Sequence, residues 1–334
     1  MPAEDSAYPP AMTRFQLSAL TLLVPALALA AEPSRSPPKA GAQKPAIHLR
    51  FAWPEYLTFQ VAQSLQVEDG EGHKQIDAHR TYRMTVENAG KDFLRLVASD
   101  EQTPPEMIMA FDSVSPIVID RKGAFQRVES TGDDVIGRLS QLMPQGSPQQ
   151  TQLAEQLNRT MQDAGRKNWE LRVGRWCDVT LTPGKPERHA VKMPMGSTLE
   201  QMTNPVNVDG EEVVTVEANV ACTPQDKAKR CVRLVADTRQ LQPYKASVDK
   251  RSAAERSPKE RFMMKAARSS VHVEWVLEPD TLLLHSLQTK KADAIERERY
   301  DGTPYTEETR QMESYLFTYG PPPAQPSKSN PTPL

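Results

Sequence analysis

The chain has 334 residues, 38% hydrophobic and 25% charged, a water-compatible globular composition with room for one large or two ordinary domains. Its 41 basic and 43 acidic residues nearly cancel, which leaves no net-charge argument for nucleic acid or an anionic membrane as partner. Aromatic residues make up only 6%, so the core must rest chiefly on Val, Leu, Met and Ala.

The N-terminal stretch reads as an export signal. Met12-Thr13-Arg14 gives a short positive start, and Phe15 to Ala30 is apolar apart from Gln16, Ser18 and Thr21. Ala28-Leu29-Ala30 offers the small side chains that a signal peptidase accepts, so cleavage is expected after Ala30, with Ala28 as the alternative. Glu4 and Asp5 do not suit a positive leader, which makes Met12 a candidate start. An uncleaved anchor is the competing reading, but an apolar run of about 16 residues is short of the ~20 that span a bilayer. The expected localisation is periplasmic or secreted, with no transmembrane segment in the mature chain. Residues 31–45 and 320–334 are Pro-rich and read as a flexible leader and a disordered tail, leaving a folded part over 46–319.

Strands open that part. Ile47 to Trp53, Leu57 to Glu68, Lys74 to Asn88 and Lys91 to Ser99 are bounded by Pro54, Asp69-Gly70, Gly72 and Gly90. Tyr82, Met84 and Val86 alternate with Arg83 and Thr85, a period of two that predicts one apolar face; Arg80 and Arg83 are assigned to the polar side. Met107 to Phe111, Ile117 to Arg121 and Phe125 to Glu129 continue the series. The spacing then turns helical. Val135, Ile136, Leu139, Leu142 and Met143 follow Thr131 as N-cap, and Leu153, Leu157, Met161 and Ala164 form a stripe that starts at Ser147-Pro148 with Gln150 and stops at Gly165. Strands resume at Trp169 to Leu181, Glu211 to Cys222, Arg230 to Thr238, Val271 to Leu277, Thr281 to Leu287 and Gln311 to Thr318, while 258–267 is ambiguous. Short turns favour antiparallel pairing. The predicted fold is α+β, mainly antiparallel β: one large curved sheet or incomplete barrel with a short helical pair, about 131–164, on its concave face. Two β-domains split near residue 168 are the second choice.

Cys222 and Cys231 flank the polar loop TPQDKAKR between two predicted strands, where facing positions could bring them into bridging range; an oxidising compartment would keep that disulfide. Pairing of Cys177 with either of them, or three separate thiols, stays open. No C-x-x-C is present.

The search for chemistry yields no catalytic, cofactor-binding or metal residues. The six histidines lack H-E-x-x-H spacing, and His272 and His285, either side of the Pro279 turn, read as solvent-facing before they read as a metal pair. There is no G-x-S-x-G, P-loop or G-x-G-x-x-G, and Met195-Gly196-Ser197 has Gly on one side only. Glu211 and Glu212 are adjacent and so point to opposite faces of a strand, which rules out joint acid–base work. Asp69 to Gly72 reads as a hairpin tip, and Lys290 to Arg299 as a solvated strand end or loop. Met107, Met109, Met161, Met263 and Met264 could line a cleft under the helices for an apolar ligand or lipid; the alternative is that they fill the core.

The Phe51-Ala52-Trp53-Pro54 opening, the long hairpins and the Ile119-Asp120-Arg121-Lys122-Gly123 turn resemble uncharacterised exported bacterial β-rich proteins. The order of elements over about 46–319 is similar to the half-barrel envelope carriers of the LolA type. The resemblance implies a ligand-binding or envelope role without catalysis and transfers no functional residue. The expectation is a non-enzymatic exported protein that binds an apolar ligand; a structural or assembly partner of the envelope comes second, and a hydrolase third.

Overall fold

The computed structural model describes residues 45–102, 115–129, 148–195, 206–224, 229–246, 264–299 and 302–320. The stretch 12–30 expected as an export signal, the expected leader up to 44, Met107, Met109, the helix expected over 133–143, Ser147, Ser197, Met263 and the expected tail from 321 lie outside them.

The strands are β1 (Ile47–His48), β2 (Thr58–Asp69), β3 (Lys74–Asn88), β4 (Phe93–Gln102), β5 (Ile117–Asp120), β6 (Phe125–Val128), β7 (Thr180–Leu181), β8 (Glu187–Met195), β9 (Val206–Ala221), β10 (Arg230–Gln240), β11 (Tyr244–Lys245), β12 (Ala266–Leu277), β13 (Leu284–Glu298) and β14 (Pro304–Tyr319). β1 and β7 pair with each other. The rest form one open antiparallel sheet of 12 strands in the order β6-β5-β4-β3-β2-β14-β13-β12-β10-β9-β8, with β11 on β12. Strands from both sides of residue 168 thus share one sheet. A single helix is described, α1 (Pro148–Arg172), followed by a 3-10 turn at Gly174–Trp176.

The alternation in β3 positions this sheet against α1. Ala78, Tyr82, Met84 and Val86 are buried on one face, joined by Phe59, Val61 and Leu65 of β2 and by Leu234, Ala236, Val273, Trp275 and Leu287 further along. The same parity corrects the placement of Arg80: two residues before Tyr82, it lies on the core face and is 4% exposed.

The sheet curls around the end of α1. Trp169 Nε1 donates to Gly123 O in the β5–β6 turn at 2.7 Å, and Arg175 forms an ion pair with Glu212 of β9. β5 and β9 are eight strand steps apart, about 38 Å in a flat sheet at ~4.8 Å per step. The helical stretch from Trp169 to Arg175 spans only about 10 Å. Adding two long side chains does not close that gap, so the sheet must wrap toward α1.

Several expectations are revised. The helix does not stop at Gly165. Met161, Gly165, Trp169 and Val173 continue one stripe at steps of four, with Trp169 and Val173 buried. Glycine serves there for close approach, since a Cβ on Gly165 would lie 2.3 Å from Val128 Cγ2. The strand expected over Trp169 to Leu181 is therefore the end of α1, the 3-10 turn and β7. Of Ile47 to Trp53 only β1 is strand; Leu49, Arg50 and Ala52 donate instead to Val179 O, Pro279 O and Thr281 O at 2.8, 2.8 and 3.2 Å. The charged stretch from Lys290 is strand interior, because β12 and β14 flank it in register. β8 was not predicted. It is an edge strand with Pro194 and charged residues, as edges tolerate.

Cys222 and Cys231 form a disulfide with Cα atoms 5.0 Å apart at the mouth of the β9–β10 hairpin. Cys177 is free and partly buried, and burial, with the charges of Glu170, Asp120 and Asp178, pushes its thiol up to about 12. It is thus a poor thiolate.

Two outcomes follow. Gly165→Ala should destabilise the fold by about 1–3 kcal/mol in thermal or urea melts, because the overpacking against buried Val128 outweighs the ~1 kcal/mol helix gain. Replacing Cys222 and Cys231 together by Ser should cost about 2–3 kcal/mol, as expected for a loop of this length, while reducing agent should leave the melting temperature of that variant unchanged.

Candidate functional site between α1 and the sheet

One register row crosses most of the sheet on the core face. Arg80 of β3 pairs with Gln63 of β2, and Gln63 with Tyr315 of β14. The row continues through Leu287, Trp275, Leu234 and Val216. It is polar on the first three strands and apolar on the other four. α1 crosses over the polar part, with Arg172 stacked on the Tyr315 ring at 4.5 Å.

The polar part is hydrogen-bonded within itself. Arg80 Nε donates to Gln63 Oε1 at 2.7 Å. Gln63 Nε2 donates to Tyr315 Oη at 2.9 Å and to Glu313 Oε1 at 2.5 Å. Tyr315 Oη donates to Glu313 Oε1 at 2.6 Å and accepts from an Arg172 terminal nitrogen at 3.1 Å. Burial pushes the Tyr315 hydroxyl well above its ordinary value, and Glu313 adds to this against the opposing Arg172, so the phenol keeps its proton. Burial works against the Arg172 cation, but the Tyr315, Tyr82 and Glu313 oxygens outweigh it and the charge is kept.

Above this wall lies a cavity of about 370 Å³. Trp53, Phe59, Val61, Met84 and Leu96 line its sheet side, and Met161, Trp169 and Val173 its helix side. Arg80, Gln63, Glu313, Tyr315 and Arg172 form the polar end. Size and lining match those of small-molecule sites, apolar walls with a few convergent polar groups. Ala164 also lines it and is exposed, which places it at the mouth. Two buried donors of the lining have no partner among the described residues, Arg172 Nε and Trp53 Nε1.

Of the sequence-predicted residues, Met161 lines the cavity. Met264 is buried in a separate small cluster with Ala267 and Ile295. Met107, Met109 and Met263 lie outside the described residues. The two stretches behind the resemblance meet here. Trp169 packs on Phe51 and Trp53 at ring distances of 6.0 and 5.7 Å while bonding to Gly123. Sequence reading missed Gln63, Arg80, Arg172, Glu313 and Tyr315, which only strand register brings together.

A second buried cluster sits beside the disulfide. His285 is buried, not solvent-facing, because its Nε2 lies 3.0 Å from Glu278 Oε1, which Lys229 Nζ also meets at 2.6 Å. The register pairs His272 with Lys290, so the two histidines are not neighbours, and His272 contacts Asp237 at 2.7 Å. The Cys222 and Cys231 sulfurs and one His285 nitrogen lie within 4.8 Å of one another, but sulfurs joined in a disulfide have no thiolate to offer a metal. Glu211 and Glu212 face opposite ways, the first toward Arg188 and Arg239 and the second toward Arg175.

No protein-family model matches the chain, and no curated protein matches it. Among solved structures it is similar to a chain of lipovitellin whose structure is titled for lipid–protein interactions. That match has 9% sequence identity and a TM-score of 0.34, over 82% of this chain and 26% of the other. The chain thus spans about a quarter of the length of that protein. Among the described residues no helix is long and apolar enough to cross a membrane.

The Glu278 cluster carries a pH dependence. Burial raises the Glu278 pKa, but hydrogen bonds from His285 and Lys229 outweigh burial and hold it below the ordinary value of 4.5. A carboxylate depressed on folding stabilises the fold above its unfolded value, and that contribution is lost as pH falls through the folded one. Thermal melts taken from neutral pH downward should therefore show a drop below about pH 4.5 that is shallower in Glu278→Gln.

Proposed function

We propose that this protein is a non-catalytic, exported binder of an apolar, lipid-like ligand, held between α1 and the concave face of the sheet. The observation that carries the reading is the cavity itself: apolar on its long walls, polar at one end, and open at Ala164. A core built only for stability closes such space, because interiors pack to crystal-like density. The disulfide agrees with an oxidising, extracytoplasmic compartment, and the likeness of layout to half-barrel envelope carriers points the same way. The alternative role, an assembly partner recruited through a sheet edge, has less behind it. β8 presents Arg188, His189 and Lys192 exposed, and β6 is held at Val128 by both ends of the Gln162 amide, at 2.7 and 2.9 Å. Both features blunt an edge against pairing.

The test uses Trp53 and Trp169, which face the cavity. A dodecanoic acid carrying bromine at its chain end should quench tryptophan fluorescence saturably, and native mass spectrometry should show a one-to-one adduct. Ala164→Phe, which plugs the mouth, should weaken binding by roughly tenfold, about 1.4 kcal/mol, without lowering the melting temperature. Absence of both saturable quenching and adduct would remove the proposal.

A further inference from the structure

We propose that the mouth of the β9–β10 hairpin is a redox-gated metal site: once the Cys222–Cys231 bridge is reduced, the two thiolates and His285 Nδ1 hold one Cu(I) ion. None of these residues lines the cavity under α1, so the assignment does not depend on the binding role proposed above.

The first argument is proximity. Both sulfurs and one His285 nitrogen lie within 4.8 Å of one another. Donors to a single ion sit about 2.0–2.3 Å from it, so two of them can be at most ~4.5 Å apart. The three groups are therefore within a few tenths of an ångström of shared coordination before any side chain turns. Cα atoms 5.0 Å apart keep the two sulfurs together when the bond between them opens. All three residues are buried, Cys222 at 5%, Cys231 at 1% and His285 at 6% exposed.

The second argument is an unused lone pair. His285 Nε2 faces Glu278 Oε1 at 3.0 Å, while Nδ1 is buried and has no hydrogen-bond partner among the described residues. A carboxylate oxygen accepts, so the ring proton belongs on Nε2, where it is donated to Glu278. Nδ1 is then a bare lone pair shut away from water, which is the form of imidazole that binds a metal. A carboxylate on the far nitrogen fixes tautomer and ring direction, as in the carboxylate–histidine pairs behind metal ligands generally. Glu278 is committed to that role. Its Oε1 also meets Lys229 Nζ at 2.6 Å, and its Oε2 accepts from Thr281 Oγ1 at 3.2 Å.

The donor set selects the ion. Two thiolates and an imidazole are soft ligands, which favour Cu(I) or Zn(II) over Mg(II) or Ca(II). Structural Zn(II) takes four donors, and the cluster supplies three. The third thiol is not among them, since Cys177 contacts Gly123 O and Val173 O instead. Cu(I) has no need of a fourth ligand. Opening the bridge consumes a dithiol, which passes two electrons and two protons to the disulfide and closes to a disulfide itself. Cu(I) then replaces the two thiol protons, which leave to solvent. In the oxidised protein the same sulfurs are bonded to each other and the site is closed.

The experiment loads the whole protein with Cu(I) without oxygen, before and after reduction by a water-soluble phosphine that is then removed. The phosphine becomes its oxide, with oxygen from water, as the bridge becomes two thiols. Reduced protein should take up one Cu(I) per chain in native mass spectrometry and hold it against a Cu(I)-chelating dye, whereas oxidised protein should not. The Cys222→Ser/Cys231→Ser variant, which keeps Cys177, should bind no more than the oxidised protein. His285→Gln should weaken binding by roughly tenfold or more, and Glu278→Gln by about tenfold. Reduced wild-type protein that binds no better than the double variant, or oxidised protein that binds as well as reduced, would overturn the proposal. Undiminished binding by His285→Gln would remove His285 from the ligand set. Should that variant not fold, X-ray absorption at the copper edge of the wild-type protein decides: two sulfurs and one nitrogen support the assignment, and any other shell overturns it.

Discussion

The architecture depends on two indoles that hold the end of α1 inside the hollow of the sheet. Trp169 bonds to Gly123 O and Trp275 to Leu171 O, and both side chains are at most 3% exposed. An indole buries on the order of 150–250 Å², worth about 4–6 kcal/mol by area, against ~1 kcal/mol for its hydrogen bond. Burial therefore supplies the force and the two N–H groups supply the direction. One fixes the helix to the β5–β6 turn, the other fixes its last turn to β12. Trp176 packs edge-on to Trp275 at 5.0 Å and carries the contact on toward β9. Opposite flanks of one long sheet are thus tied to eight consecutive residues. With its end pinned in this way and Arg172 resting on Tyr315, α1 roofs this part of the sheet, and the cavity lies between the two.

The polar end of that cavity is hard to explain as a stabilising device. A buried charged network often contributes no more than well-packed apolar residues of the same volume, and sometimes less. The same register row shows the apolar solution four strands long, from Leu287 to Val216. Leucines at the positions of Gln63 and Arg80 would extend it across β2 and β3 without breaking the strand alternation. The polar wall is expensive where an apolar arrangement is adjacent. Stability alone gives no reason for it. The binding role proposed above would give one.

How much of this was legible in the sequence varies with how local the cause is. β3 reads cleanly because one of its faces is apolar over several turns of the pleat. The Cys222–Cys231 bridge was legible because the two residues close a single hairpin. The lower half of β13 was not, since its strand state comes from two flanking partners and not from its own charged pattern. The extension of α1 had a signal in Trp169 and Val173 at steps of four, which the stop reading of Gly165 concealed. Arg80 was misplaced by chemistry overruling parity: a charged residue was sent to the water side although its position matched Tyr82. The network itself has no local trace. Gln63 and Tyr315 are 252 residues apart, and only the pairing of β2 with β14 makes them neighbours.

A larger hollow lies elsewhere among the described residues, and volume is the wrong criterion for choosing between the two. A groove of about 860 Å³ lies toward the other end of the strands and is lined mainly by the opposite side of the sheet, among Gln66, Arg188, Asp237, His272, Lys290 and Arg310. Such a reversal of curvature along long strands is what sheet twist produces. Charges there are numerous but open to water, and several are answered by neighbours: His272 by Asp237, and Arg188 and Arg239 by Glu211. Exposed pairs of this kind contribute little and bind little, because solvent screens them. In the smaller cavity the charges are fewer but further removed from water, where each interaction is felt more strongly. The strength of a site follows from how far its charges are removed from water, and on that measure the 370 Å³ cavity under α1 outweighs the groove more than twice its size.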